Sequence, residues 1–350
     1  MSANGGRNWT LVRGNLPRVR IDDVLINPQT NDVVLGTHGR SIIILDDAAM
    51  LERADASVLA EDAHLFPLRP ATQYYEMRKL PSPGAFKFSG PNPAYGALIT
   101  YYLKNDPPKG DGHVKLQVLD AGGRVVRELD GPDRQGYNRV AWDLRYPLTF
   151  EAGSQDEGWF GPPKGTPVLP GEYRVKLSAR GREMTETLQV RMDPRSRTSM
   201  ETLKARFDAS QKVAELAKAF ADGVRAADDL DRQLTAIRTA VKGRTNVPPA
   251  IGGRIDTLSK DVDKLKGMFR GGFGGPKFQY LDLAGQLQAS TSAPTEAQLT
   301  AIEHLRTQLS ENLTAVNAVI TRDLPQLEAD LKSNNITTTG VQPVALPKIQ

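Results

Sequence analysis

Three observations predict a mixed, multidomain chain. Val33–Asp47 reads VVLGTHGRSIIILDD, two apolar runs joined by a tight turn. Between Tyr95 and Asp193, short stretches alternate apolar and polar residues and are separated by hairpin turns. Beyond Thr198, apolar residues recur every three or four positions. In chain order these patterns predict a partial β-propeller blade, an immunoglobulin-like β-sandwich and a C-terminal antiparallel α-helical bundle. The expected boundaries are a terminal blade with a short helix over 1–66, a proline-rich linker over 67–94, the sandwich over 95–194, the bundle over 195–335 and a flexible tail over 336–350.

The first segment carries strand signals at Trp9–Val12, Val24–Ile26, Val33–Leu35 and Ser41–Leu45. Asn27-Pro28 ends the second of these, because proline cannot donate to a ladder. Gln29–Asp32 and Gly36–Gly39 are turn sequences. About four strands in about 45 residues is the size of one unit in a radial repeat. No second copy follows, so the segment reads as a lone blade, and the chain as the tail of something larger. Asp47–Leu59 reads as a short helix. Pro67, Pro70, Pro81, Pro83, Pro91 and Pro93 then favour extended, surface-running chain. Phe66, Tyr74, Tyr75, Phe86 and Phe88 make that linker too apolar for a free tether.

The second segment alternates at Val114–Val118, turns at Asp120–Gly123 and continues through Val125–Leu129, a hairpin pattern. Further strands are expected at Ala97–Leu103, Asn138–Leu144, Tyr173–Leu177 and Thr185–Met192. Six or seven short strands between turns predict the sandwich, with Trp142 as its core aromatic.

In the third segment, Thr198 with Glu201 and Thr295 with Gln298 match the capping-box pattern. Ile251, Ile255, Leu258, Val262, Leu265 and Phe269 step by four and three, one clean helical stripe. Gly243 suits the residue after a helix end. Pro325 predicts a kink in the last helix.

Composition narrows the function classes. The 350 residues carry a net charge of +4, with bases and acids interspersed rather than blocked. Neither a nucleic-acid patch nor a polybasic membrane patch is expected. The absence of cysteine removes disulfides, thiolate metal sites and cysteine nucleophiles. No apolar run is long enough for a membrane span, and the polar, glycine-rich start is no signal peptide. His38, His64, His113 and His304 follow no metal-ligand spacing, so neither metal nor cofactor is expected.

Several landmarks carry a resemblance. Ser2–Trp9 is similar to the Asp-box turn, Ser-x-Asp-x-Gly-x-Thr-Trp, with Asn4 for the Asp and Asn8 for the Thr. Leu16-Pro17, Asp22–Val24, Asn27-Pro28, Leu35–Ser41, Leu45–Asp47, Asp62–Phe66, Asn92–Ala97 and Tyr101–Lys104 follow in order. This order resembles the C-terminal part of bacterial sortilin-like (VPS10-type) propeller proteins, often labelled BNR-repeat or sialidase-like glycosyl hydrolases. Asp120–Arg127, Gly136–Asp143 and Pro170–Tyr173 are similar to the Ig-like module of flagellar hook-capping proteins. The resemblance implies a secreted or periplasmic parent with a many-bladed propeller. It implies that upstream blades or a protein partner cover this region, with a glycan as a further possible partner. The propeller's catalytic or ligand residues would lie on blades outside this chain.

The implied role is a non-catalytic scaffold and interaction region. The rival is a contribution to a glycoside hydrolase. For that rival, His38, Arg40 and Asp46 are the catalytic candidates. His38 and Arg40 sit at a turn, where they either face a central channel or bond neighbouring blades. Asp46 and Asp47 are adjacent, so on a strand they point to opposite faces, and capping of the next helix is the competing role. Ser41 lacks a nucleophile-elbow context. Gly271–Gly275 lacks the Lys-Ser/Thr of a phosphate-binding loop and reads as a connection between helices. Trp159 and Phe160, in a Gly/Pro-rich loop, are either exposed aromatics of the kind that stack on sugar rings or cover for the sandwich edge.

Overall fold

The computed structural model of the chain describes residues 2, 5–9, 15–74, 90–107, 114–149, 164–244, 247–270, 275–336 and 344–349. Most of the expected Trp9–Val12 strand lies outside these residues, as do Tyr75, Phe86, Phe88, His113, Trp159, Phe160 and Gly271–Gly274. The chain is mixed α/β, with several sheets and a C-terminal helical region. It divides into two compact units. One comprises residues 1–145 and 168–196, the other 146–167 and 197–350.

The first unit begins with an antiparallel sheet of β1 (Ile21–Ile26), β2 (Val33–Thr37) and β3 (Ile42–Leu45), in that order. Asn31, at φ 55°, turns β1 into β2, and Ser41, at φ 62°, leads into β3. Two one-turn helices follow, α1 (Ala49–Arg53) and α2 (Ala56–Ala60), where a single short helix is expected. Asp55 caps α2 by accepting from the Ser57 and Val58 amides, which splits the helical stretch in two.

Two more sheets complete this unit. β4 (Ala63–Leu65), β6 (Ala97–Leu103) and β9 (Gly136–Trp142) form an antiparallel three-stranded sheet in the order β4-β6-β9. β5 (Ala71–Gln73), β7 (Val114–Leu119), β8 (Val125–Gly131), β10 (Gly171–Ala179) and β11 (Arg182–Met192) form the other, in the order β5-β11-β10-β7-β8. Among the described strands of this sheet, only the β11–β5 pair is parallel.

The expected boundaries at 66 and 94 need correcting here. β4 belongs to the three-stranded sheet rather than to the first one, and β5 falls inside the stretch expected to be linker. Pro67 and Pro70 supply the reason: each removes a ladder donor, so the chain breaks pairing in one sheet and resumes it in the other.

Alternation buries Val114, Leu116 and Val118 on β7 and Tyr173, Val175 and Leu177 on β10. Trp142 of the three-stranded sheet is fully buried and meets Tyr173 of the five-stranded sheet edge-on at 5.5 Å, so the two sheets share one core. Gly96 is required at the start of β6. It sits at φ 112°, and a Cβ there would overlap the Trp142 carbonyl oxygen.

In the second unit, α3 (Met200–Val241) is the longest helix. Its cap is Ser199, which accepts from the Thr202 amide at 3.2 Å, not the expected Thr198. α4 (Pro249–Phe269) buries all six residues of its predicted stripe. α5 (Pro276–Gln288) and α6 (Glu296–Ala318) follow, and α6 starts in the expected Thr295/Gln298 capping box. A π turn over Val319–Asp323 leads into α7 (Leu324–Ser333). It precedes Pro325, whose missing N–H breaks the regular ladder; the wider turn lets the helix continue.

α7 ends in a Schellman motif. Asn335 stands at φ 56°, Ile336 N–H donates to Leu331 O at 2.9 Å and Asn335 N–H to Lys332 O at 3.1 Å.

Polar pairs set the register between helices. Arg238 meets Asp256 at 3.0 Å, and Lys266 reaches Asp228 at 3.5 Å as well as Asp231, so α3 and α4 run antiparallel. Arg254 meets Asp330 on α7 at 2.6 Å. Phe220, Phe269 and Tyr280 form an aromatic cluster joining α3, α4 and α5.

Residues expected in the sandwich also belong to this unit. Tyr146 packs on Phe207 at 5.8 Å, and Thr149 donates to Ala214 O at 3.0 Å. The expected free tail is corrected in the same way: Ile336 is buried, and Val344 and Ile349 pack against the helical core. No helix among the described residues is long and apolar enough to cross a membrane.

Candidate interaction surface

The first sheet has the composition of a buried element but is not buried. Directly paired residues share a face, so the register sorts the side chains. Leu25, Val34 and Ile44 lie on one face with Ile42, while Ile26, Val33 and Leu45 lie on the other with Val24, Leu35 and Ile43. Leu25 is 61% exposed, Ile42 65% and Ile44 56% on the first face; Val24 and Ile26 are 57% and 54% exposed on the second. At one corner Leu45 packs against the cluster of Met50, Ala54 and Phe66. Val24–Ile26, expected as a buried-type strand, is therefore exposed throughout. Its apolar residues signal burial, but the described residues provide nothing to bury them.

One end of this sheet is anchored. Asn31 O accepts from the Ala48 amide, and Asp32 Oδ1 accepts from the Asp47 amide, both at 2.8 Å. Arg69 donates to Thr30 O at 2.6 Å and lies 3.6 Å from the Asp47 carboxylate and 3.8 Å from that of Asp32. Arg139, from β9, donates to Asp46 O at 2.6 Å, Asp47 O at 2.9 Å and Thr100 Oγ1 at 2.9 Å. Burial draws its guanidinium below the ordinary range, and the charges of Asp47 and Asp46 pull it back up. Neither Asp46 nor Asp47 caps the next helix: the α1 cap is Ala48, with no side-chain bond. Asp46 contributes its carbonyl, and Asp47, at φ 45°, turns its carboxylate toward Arg69.

The other end is open to solvent. His38 Nδ1 lies 3.4 Å from Asp22 Oδ2, and Asp22 also accepts from Arg20 Nε at 2.5 Å. The His38 amide donates to Arg20 O at 2.9 Å, and Thr37 Oγ1 to Ser41 O at 2.6 Å, which closes the turn. Arg40 is exposed.

The three catalytic candidates do not converge. His38 and Arg40 lie at the free end and Asp46 at the anchored end, roughly 15–20 Å away at about 3.3 Å per residue. No group of acids and histidines able to hold a metal occurs among the described residues. His64 stands beside Glu61 at 3.4 Å, and His304 lines an open groove between α5 and α6. Sequence reading missed Arg69 and Arg139, the residues that fix the sheet. Their partners include three backbone carbonyls, which leave no residue pattern to find, and side chains distant in sequence. No protein-family model matches the chain, and no curated protein does.

Proposed function

We propose that this chain is a non-catalytic scaffold and interaction region of an exported sortilin-like propeller protein. In this reading β1–β3 belong to a terminal blade whose faces are covered by sibling blades or by a protein partner. One observation carries the reading: a three-stranded sheet, tied down at one end, with large aliphatic side chains more than half exposed on both faces. An antiparallel sheet commonly packs one face on a core, and large exposed apolar surface marks an interaction site.

Support for an Ig-like sandwich as spacer comes from the buried Trp142 and from Tyr173. Near the start of β10, the Tyr173 hydroxyl donates to Leu169 O, four residues upstream, at 2.7 Å, the arrangement of a tyrosine corner. The antiparallel helices, sharing one apolar core, support a bundle as a docking surface.

The test uses the full chain with Leu25→Lys and Ile44→Lys. Wild type should bind an apolar dye and self-associate in sedimentation velocity. The variant should lose both properties while its melting temperature stays within a few degrees. Hydrolysis of aryl glycosides by wild type, lost on His38→Ala, would instead establish the glycoside hydrolase reading.

A further inference from the structure

Among the described residues β1 lies at the edge of its sheet, with every residue exposed. Natural edges are blunted by charges, bulges or proline. Here those devices stop short of one segment. The ladder bulges between Ile21 and Asp23, Asp22 and Asp23 carry the charges, and Pro28 follows the strand. Val24-Leu25-Ile26 lies between them with none of the three. Asn27 N–H donates to Asp32 O at 2.9 Å, so by the alternation of an antiparallel ladder Leu25 and Asp23 turn their backbone groups toward β2. Val24 and Ile26 turn theirs outward. The Val24 amide accordingly donates to the Asp23 carboxylate at 2.9 Å.

This edge is complementary to itself. Two copies of β1 laid antiparallel about Leu25 set Val24 of each opposite Ile26 of the other, where both have outward N–H and C=O groups to exchange. Leu25 then faces Leu25, and the rows across the joint are aliphatic from end to end. On one face Ile44, Val34 and Leu25 are followed by Leu25, Val34 and Ile44 of the second copy. On the other, Ile43, Leu35 and Val24 are followed by Ile26, Val33 and Leu45 of the second copy. The flanking pair is Asp23 opposite Asn27. Asn27 Oδ1 accepts from the Gln29 amide at 3.0 Å, which leaves its Nδ2 to donate to the Asp23 carboxylate. Neighbouring registers lose this match. Sliding by one residue pairs outward backbone groups with inward ones. Sliding by two sets either Asp22 against Ile26 and Asp23 against Leu25, or Val24 against Pro28, which has no N–H.

We propose that β1 is a homodimerisation edge. Two copies of this chain join β1 to β1 about a two-fold axis at Leu25, and their sheets become one of six strands. The occupant is a second copy because backbone parity, aliphatic rows and the Asp23–Asn27 pair all match the strand's own sequence in one register. The proposal concerns the edge of the sheet rather than its faces, and it holds whether or not the chain belongs to a propeller protein.

The experiment uses the full chain, which has no cysteine, so single cysteines report proximity without background. In a non-hydrogen-bonded antiparallel pair the Cα atoms lie about 4.5 Å apart, within reach of a disulfide. Leu25 and Ile42 are similarly exposed, at 61% and 65%. Under mild oxidation Leu25→Cys should form a covalent dimer about tenfold faster than Ile42→Cys, because the joint raises its local concentration. Ile26→Pro removes an outward N–H, which an edge strand tolerates, and thermal melting checks that this variant is folded. In sedimentation velocity across a dilution series, wild type should show a monomer–dimer equilibrium and Ile26→Pro a monomer.

A second variant leaves the strand backbone alone. Asn27→Asp still accepts from the Gln29 amide but sets like charges opposite each other at both ends of the joint. It should weaken the dimer about tenfold. A wild-type chain that stays monomeric throughout, or equal cross-linking of the two cysteines, would overturn the proposal. Assembly beyond the dimer would also overturn it, since pairing of β1 with β3 is head-to-tail and does not close. Self-association that survives Ile26→Pro and Asn27→Asp but is lost with Leu25→Lys and Ile44→Lys would overturn the edge while leaving the scaffold reading in place, because the faces would then be the contact.

Discussion

Arg139 holds the carbonyl oxygens of two successive residues, Asp46 and Asp47, with two different guanidinium nitrogens, at 2.6 and 2.9 Å. The same side chain bonds Thr100 at 2.9 Å. The end of β3 is thereby fastened to the sheet that carries β6 and β9. This joint explains how a sheet with two accessible faces keeps a defined place within its unit. Arg69 reinforces it from the Thr30–Asp32 turn.

Arg139→Met should therefore destabilise the first unit by about 2–4 kcal/mol, because three part-buried acceptors lose a charged donor. Arg40→Met, at the exposed turn, should stay within about 0.5 kcal/mol of wild type. Urea denaturation compares the two. Hydrogen exchange in Arg139→Met should show β2 and β3 losing protection before β7 and β10. Equal effects of the two substitutions would remove the joint from the account.

Glycines on two helices should respond with opposite signs. Gly223 of α3 faces crowded neighbours, and a Cβ there would stand 2.7 Å from Leu313 Cδ2 and 2.8 Å from Phe269 Cε1. Gly253 on α4 is exposed, with open space around it. Alanine gains roughly 1 kcal/mol of helix propensity at either place. At Gly253 nothing opposes that gain, so Gly253→Ala should raise the melting temperature. At Gly223 the crowding of a closed core, about 1–3 kcal/mol, outweighs it. Gly223→Ala should thus melt lower than wild type. A rise in both variants would mean that α3 does not pack on Phe269 and Leu313 as described.

The helical region was legible because its signals are local. The 251–269 stripe, the Thr295/Gln298 box and Gly243 after α3, at φ 80°, each depend on residues within a few positions of one another. Ser199 rather than Thr198 as the α3 cap is a shift of one residue between two equally capable hydroxyls. The strands were harder to place. Ala71–Gln73 looked like linker because prolines surround it, yet those prolines mark where the chain changes sheets. Apolar character at Val24–Ile26 was readable, but it gives no information on what supplies the cover. The candidate site was least legible. Its side-chain anchors, Arg69 and Arg139, bond the Thr30, Asp46 and Asp47 carbonyls, which any residue can present, and side chains distant in sequence.

Burial of two phenols makes stability depend on alkaline pH. Tyr101 is fully buried and donates to Pro132 O, while Tyr280 is nearly buried beside Phe220. Burial raises both well above the ordinary phenol range, and the charge of Asp133 adds to the effect at Tyr101. The unfolded chain loses these protons near pH 10, and the folded chain holds them to higher pH. Folding thus keeps its full contribution from these groups below about pH 10 and loses it as pH rises further. Absorbance at 295 nm should show at least two of the nine tyrosines failing to titrate until circular dichroism reports unfolding. Tyr101→Phe with Tyr280→Phe should move that unfolding to higher pH, since the variant has no buried phenols to ionise. Titration of all nine near pH 10 with the fold intact would contradict the burial of both rings.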